Sequence, residues 1–79
     1  MTTVYVLLIE ANEQVNIGVH KTMEGARGEL SAYARRWWQQ EMGERPMPAN
    51  TDQLAEEYFE VMRDRGESYI LESAELKEF

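Results

Sequence analysis

Val4-Tyr5-Val6-Leu7-Leu8-Ile9 is an unbroken run of β-branched, aliphatic and aromatic residues near the start of a chain of 79 residues. With no polar alternation it reads as a strand covered on both faces, and so as the central strand of a sheet. Successive side chains of a strand point to opposite sides. Whichever of the two rows, Val4/Val6/Leu8 or Tyr5/Leu7/Ile9, packs under the rest of the chain, the other row also needs a cover. A small soluble monomer does not normally leave such a row in water, so either the loop and the C-terminal tail wrap over it, or a second subunit or partner does. The run is also too short for a signal peptide or a membrane span.

The rest of the chain supplies one such cover. Glu10 to Gln14 is polar and contains Asn12, which suits a reversal, and Val15-Asn16-Ile17-Gly18-Val19-His20 alternates as a strand. That alternation predicts Val15, Ile17 and Val19 inward, and Asn16, Gly18 and His20 outward. Met23 to Met42 reads as a helix, because Met23, Ala26, Leu30, Tyr33, Ala34 and Trp37 recur at the three-and-four spacing of one helical face. Thr22 can cap it and Gly43 can stop it; Gly25 and Gly28 lie off the apolar stripe. Asn50 with Gln53 fits a capping box, opening a second helix from Thr51 to about Arg65 with Leu54, Ala55, Tyr58, Val61 and Met62 inward. Ser68 to Leu76 reads as the last strand. The order β-β-α-α-β over one domain, residues 1–79, predicts an α+β two-layer sandwich: a three-stranded antiparallel sheet with both helices on one face.

Charge narrows the partners. The formal net charge is −7, and residues 1–40 carry four acids and four bases, so the whole excess lies in residues 41–79. Such a domain should be repelled by bare nucleic acid and anionic lipid, and is expected to bind neither directly; a protein with a basic surface is its natural partner. There is no cysteine, so a reducing cytoplasm is the simplest setting. A single histidine, His20, without a second ligand at metal spacing, specifies no metal site, and no cofactor signature is present. His20 is expected on the sheet's outward surface.

Two stretches stand out as partner-binding candidates. Glu56, Glu60 and Asp64 are spaced four apart with Glu57 alongside, so their carboxylates align on one outward helix face and disfavour their own helix by a few tenths of a kcal/mol per pair. A ladder of negative charge complements a basic groove; a solvated acidic face is its ordinary alternative. Trp37 and Trp38 diverge by about 100° on a helix. Trp37 falls in the stripe and is expected in the core. Trp38, at the margin beside Arg35 and Arg36, is expected either in an aromatic and basic contact patch or packed against the Pro46–Pro48 loop or the end of the sheet.

Taken together, YVLLIE, VHKTMEGARGELSAYARRWW and SYILESAEL resemble the small acidic α+β proteins of phages and mobile elements. The chain is similar in character to anti-CRISPR and related anti-defence inhibitors. That resemblance implies a non-catalytic inhibitor that occupies the basic nucleic-acid-binding surface of a partner complex, and it carries over no individual residue. Two other expectations stand beside it. One is a homodimer formed through the uncovered sheet face or a strand edge. The other is a small enzyme or ligand-binding protein, which would need a pocket lined by converging polar residues.

Overall fold

The computed structural model describes residues 2–76. Strand β1 (Thr2–Ala11) pairs antiparallel with β2 (Gln14–His20) and with β3 (Ser68–Leu76), in the order β2-β1-β3. Helices α1 (Met23–Met42) and α2 (Thr51–Arg63) pack on one face of this sheet, giving the α+β two-layer sandwich and the β-β-α-α-β order. The second helix ends two residues earlier than its sequence suggests: Asp64 is its C-cap and Arg65 lies in the turn that follows.

The hairpin is closed by two residues. Ala11 faces Gln14, and between them Asn12 and Glu13 have φ of 50° and 66°. Two successive left-handed residues make the mirror-image turn whose twist suits a hairpin, and glycine is the residue that adopts the second position without strain. Replacing Glu13 by glycine is therefore expected to stabilise the fold by about 0.5–1 kcal/mol. The check is the urea midpoint of Glu13→Gly against the parent, and an unchanged or lowered midpoint would contradict this account.

Both helix starts are capped by side chains. Thr22 accepts from the Gly25 amide and Asn50 from the Gln53 amide, each at 3.0 Å. Gly43, at φ 62°, ends α1 while its amide still bonds the Gln39 carbonyl.

The core lies between the helices and one row of the sheet. Leu7 and Ile9 project from β1 into a cluster with Leu30, Ala34 and Trp38 of α1 and Leu54, Ala55, Tyr58, Phe59 and Met62 of α2. Leu71 of β3 packs on its edge, and Phe59 meets Tyr69 at 4.8 Å between ring centroids. Phe59 was absent from the inward stripe expected of α2, yet it is fully buried; the apolar arc of that helix is wider than one stripe.

Pairing register fixes what lies on the other side of the sheet. His20, Gly18 and Asn16 stand opposite Tyr5, Leu7 and Ile9, on the helix side. Val19, Ile17 and Val15 stand opposite Val6, Leu8 and Glu10, away from the helices. The inward placement expected for Val15, Ile17 and Val19 is thus reversed, and so is the outward placement of His20. The physical reason is the beginning of α1. Glu29 pairs with His20 across the sheet surface, and a Cβ at Gly18 would overlap the Glu29 carboxylate. The small and polar residues of β2 face the helix that needs that space, and its apolar residues face out.

Candidate functional site

Three surfaces compete for function: the uncovered sheet face, the acidic helix face and a cleft on the helix side.

The uncovered face belongs to all three strands. Val15, Ile17 and Val19 are 54, 65 and 62% exposed, Ile70 and Leu76 are 50 and 55% exposed, and Val6 and Leu8 between them are half-buried. Val4 on the same row is buried, at 7%. The register places Ile70 beside Leu8, which is itself beside Ile17, so the apolar surface is continuous across the sheet. Glu72 is the one charged residue within it and sits on the edge strand β3, opposite Val6; Glu10 stands at its end. Of the two segments expected to wrap over this face, the C-terminal tail past Leu76 lies outside the described residues, and the 43–50 loop does not cover it. It is held on the helix side, where the Trp38 Nε1–H donates to the Arg45 carbonyl at 2.8 Å.

That bond also settles the tryptophans. Trp38 is 2% exposed and belongs to the core, so of its expected places it takes the one against the loop and is no contact residue for a partner. Trp37, expected in the core, is half-buried, with the Arg36 guanidinium 5.3 Å from its ring centroid. Arg35 is exposed but has lost the tryptophan it was expected to flank. The loop contributes to this choice by offering the Arg45 carbonyl to the indole of the residue beside the stripe.

On α2, Glu56 and Glu60 are exposed, as is Asp64 at its C-cap, and none of the three forms an ion pair among the described residues. Glu57 differs, being half-buried with one carboxylate oxygen 3.6 Å from Arg45. The outward acidic row therefore consists of Glu56, Glu60 and Asp64, while Glu57 ties the helix to the loop.

The cleft has no signature in any one stretch of the sequence. About 540 Å³ opens between α1 and the end of the β1–β2 hairpin, with Ile9 and Ala11 among the sheet residues lining it. Tyr33, Trp37 and Tyr58 contribute rings, and Glu29, Glu41 and Glu67 contribute carboxylates. Glu67, in the turn before β3, is 5% exposed and accepts a hydrogen bond from the Tyr33 hydroxyl at 3.0 Å. Burial first, and then the bond to Glu67, pushes the Tyr33 phenol from 10.0 up to about 12; Tyr58 is raised further, again chiefly by burial. Both remain neutral donors across the physiological range.

These shifts give stability a direction at high pH. Both phenols release protons more readily from the unfolded chain than from the folded one, so above pH 10 the unfolded state binds fewer protons than the native state. Stability should be flat with respect to these groups below pH 10 and fall as pH rises from 10 towards 12. Urea midpoints at pH 8, 10 and 11 check this, and Tyr33→Phe should make the alkaline decline shallower; an equal decline in both proteins would refute the assignment.

Among the described residues no helix is long and apolar enough to cross a membrane, and no three histidine, cysteine or acidic residues cluster at metal-binding distance. In comparison with known proteins, no family model, no curated protein and no solved structure matches this chain at a significant level.

Proposed function

We propose that this chain is a non-catalytic protein-interaction domain whose working unit is a pair of copies joined through their uncovered sheet faces. The observation that carries the reading is the continuous apolar surface of Val15, Ile17, Val19, Ile70 and Leu76 around Val6 and Leu8. A surface of this kind on a small domain marks an interaction site. A second copy suits it for two reasons. Sheets pack face to face at about 10 Å through interdigitating apolar rows, which is what this face presents. Three strands about 4.8 Å apart and about nine residues long give a face of about 15 × 30 Å, hence about 900 Å² for two copies, close to the ~1,000 Å² of a specific interface. Glu72, on the edge strand β3 beside Val6, is the one charge within the face, and its desolvation counts against the gain from the apolar rows.

An interface of that size implies a modest affinity. Light scattering across about 1–200 μM is expected to show conversion from a 9.2 kDa species to one of twice that mass. The net charge of −7 on each copy opposes pairing, so added salt should favour the dimer. A monomer at every concentration and salt would end this reading.

The acidic face of α2 supports a second surface in the same assembly. It lies on the helix layer and therefore faces outward from the pair, offering Glu56, Glu60 and Asp64 to a basic protein surface, as an inhibitor of a nucleic-acid-handling complex would. Salt acts on this contact in the opposite sense, weakening it. Joint replacement of Glu56, Glu60 and Asp64 by lysine is expected to leave the dimer intact and abolish retention on an immobilised basic polypeptide. Undiminished retention would remove the acidic face from the proposal.

A further inference from the structure

The cleft between α1 and the hairpin is a separate site, on the helix side of the sheet, and stays open whether or not the sheet faces pair. Its volume of about 540 Å³ is in the ordinary range for small-molecule sites. Its wall along α1 runs from Glu29 through Tyr33 and Trp37 to Glu41, an axial rise of about 18 Å.

The lining is anionic, and unevenly compensated. Glu29 is paired with His20, and Glu41 receives the Arg65 guanidinium at 3.0 Å. Glu67 is the most buried of the three, and among the described residues its side chain meets only neutral hydroxyls, that of Tyr33 and, more weakly, that of Tyr58. The guanidinium that lines the cleft, that of Arg36, lies over the Trp37 ring. Tyr33 and Tyr58, whose rings meet edge to face at 6.1 Å between centroids, both feel the charges of Glu67 and Glu41, so these groups converge at one end. A buried carboxylate without a counter-charge is costly, and a cation beside it removes the cost. Tyrosine rings at the same place favour an organic cation over a hydrated metal ion.

We propose that this cleft binds a primary ammonium group, with the ammonium on Glu67 beside Tyr33 and its alkyl stem along Ile9 and Ala11. The group can belong to a free alkylamine or to a lysine side chain. An anion is disfavoured by the three carboxylates and by the charge of −7 on the whole chain.

Titration of the intact chain by calorimetry and amide NMR tests this with four probes: n-butylamine, N-acetyl-lysine amide, n-butanol and butyrate. Saturable binding of both amines, or of the lysine derivative alone, with shifts centred on Tyr33 and Glu67, supports the proposal, and the second pattern assigns the site to lysine side chains. Glu67→Gln is expected to weaken amine binding by about tenfold or more, as loss of a charged partner does. If that variant unfolds, the preference of the parent for amine over alcohol, together with the location of the shifts, decides the matter. Butanol or butyrate binding as tightly as butylamine, shifts away from the cleft, folded Glu67→Gln binding undiminished, or no saturation by the amines would each overturn the proposal.

Discussion

An Ile17→Lys variant is expected to remain folded and to lose self-association by about 100-fold or more. Ile17 is the most exposed of the β2 apolar residues, at 65%, and stands opposite Leu8 near the middle of the uncovered face. Burying the exposed 65% of one isoleucine side chain stabilises by about 1–2 kcal/mol, a two-fold interface buries it twice, and the variant must also desolvate two lysine ammonium groups, so the loss reaches the ~2.7 kcal/mol that corresponds to 100-fold. The substitution lowers the net charge from −7 to −6, so weaker association cannot be assigned to greater repulsion between copies. Because Ile17 makes little contact within one chain, the far-ultraviolet dichroism of the variant should match the parent and its unfolding free energy in urea should differ by at most about 1 kcal/mol, the span of strand propensities. Sedimentation at about 100 μM separates the outcomes. A variant that still pairs would place any dimer contact elsewhere, with the free edges of β2 and β3 next in line.

The second large effect is on the fold itself. Trp38→Ala is expected to cost about 3–5 kcal/mol, the range for removing a buried aromatic side chain. A chain of this length has about 4–12 kcal/mol in all, so the variant should lose a large share of its stability and melt at a markedly lower temperature. Trp38 contributes in two ways: its ring fills the core beside Leu30, Ala34 and Leu54, and its Nε1–H holds the Arg45 carbonyl. Trp38→Phe separates them. It keeps most of the bulk and loses the bond, so it should cost about 1–2 kcal/mol and loosen the 43–50 loop. Trp37→Ala, at a half-buried position, should cost less than Trp38→Ala. If urea denaturation ranked Trp37→Ala as the more damaging change, the core described here would be wrong.

The two tryptophans show how far sequence reasoning reaches. Spacing identified α1 and its limits, because caps and glycines are local: Thr22, Asn50 and Gly43 act within a turn of their own positions. Which of two adjacent residues turns inward depends on what the neighbouring loop contributes, and that contact is made across sequence. The same limit governs β2. Alternation reveals a strand and its two rows, but both rows of a three-stranded sheet have the same period, and only the location of α1 decides which row it covers. Here Gly18 and His20 go under the helix to accommodate Glu29, and Val15, Ile17 and Val19 are left outside. The outward acids Glu56, Glu60 and Asp64 were legible because a helix face is a local property. The cleft was not, since its lining comes from β1, β2, α1, α2 and the turn holding Glu67, and no short stretch carries its signature.

The pairing of β1 with β3 has a further consequence, for the order of events in folding. Glu10 meets Ser68 and Thr2 meets Leu76, so the most apolar strand finds one of its two neighbours only across nearly the whole chain. During synthesis the β1–β2 hairpin and α1 can assemble early from local contacts, but one edge of β1 stays unpaired until the last strand arrives. Through that interval Val4–Ile9 carries open backbone donors and acceptors on a strongly apolar segment, the combination that invites strands from other chains. The central strand that anchors the finished sheet is thus also the segment most exposed to misassembly while the sheet is being made.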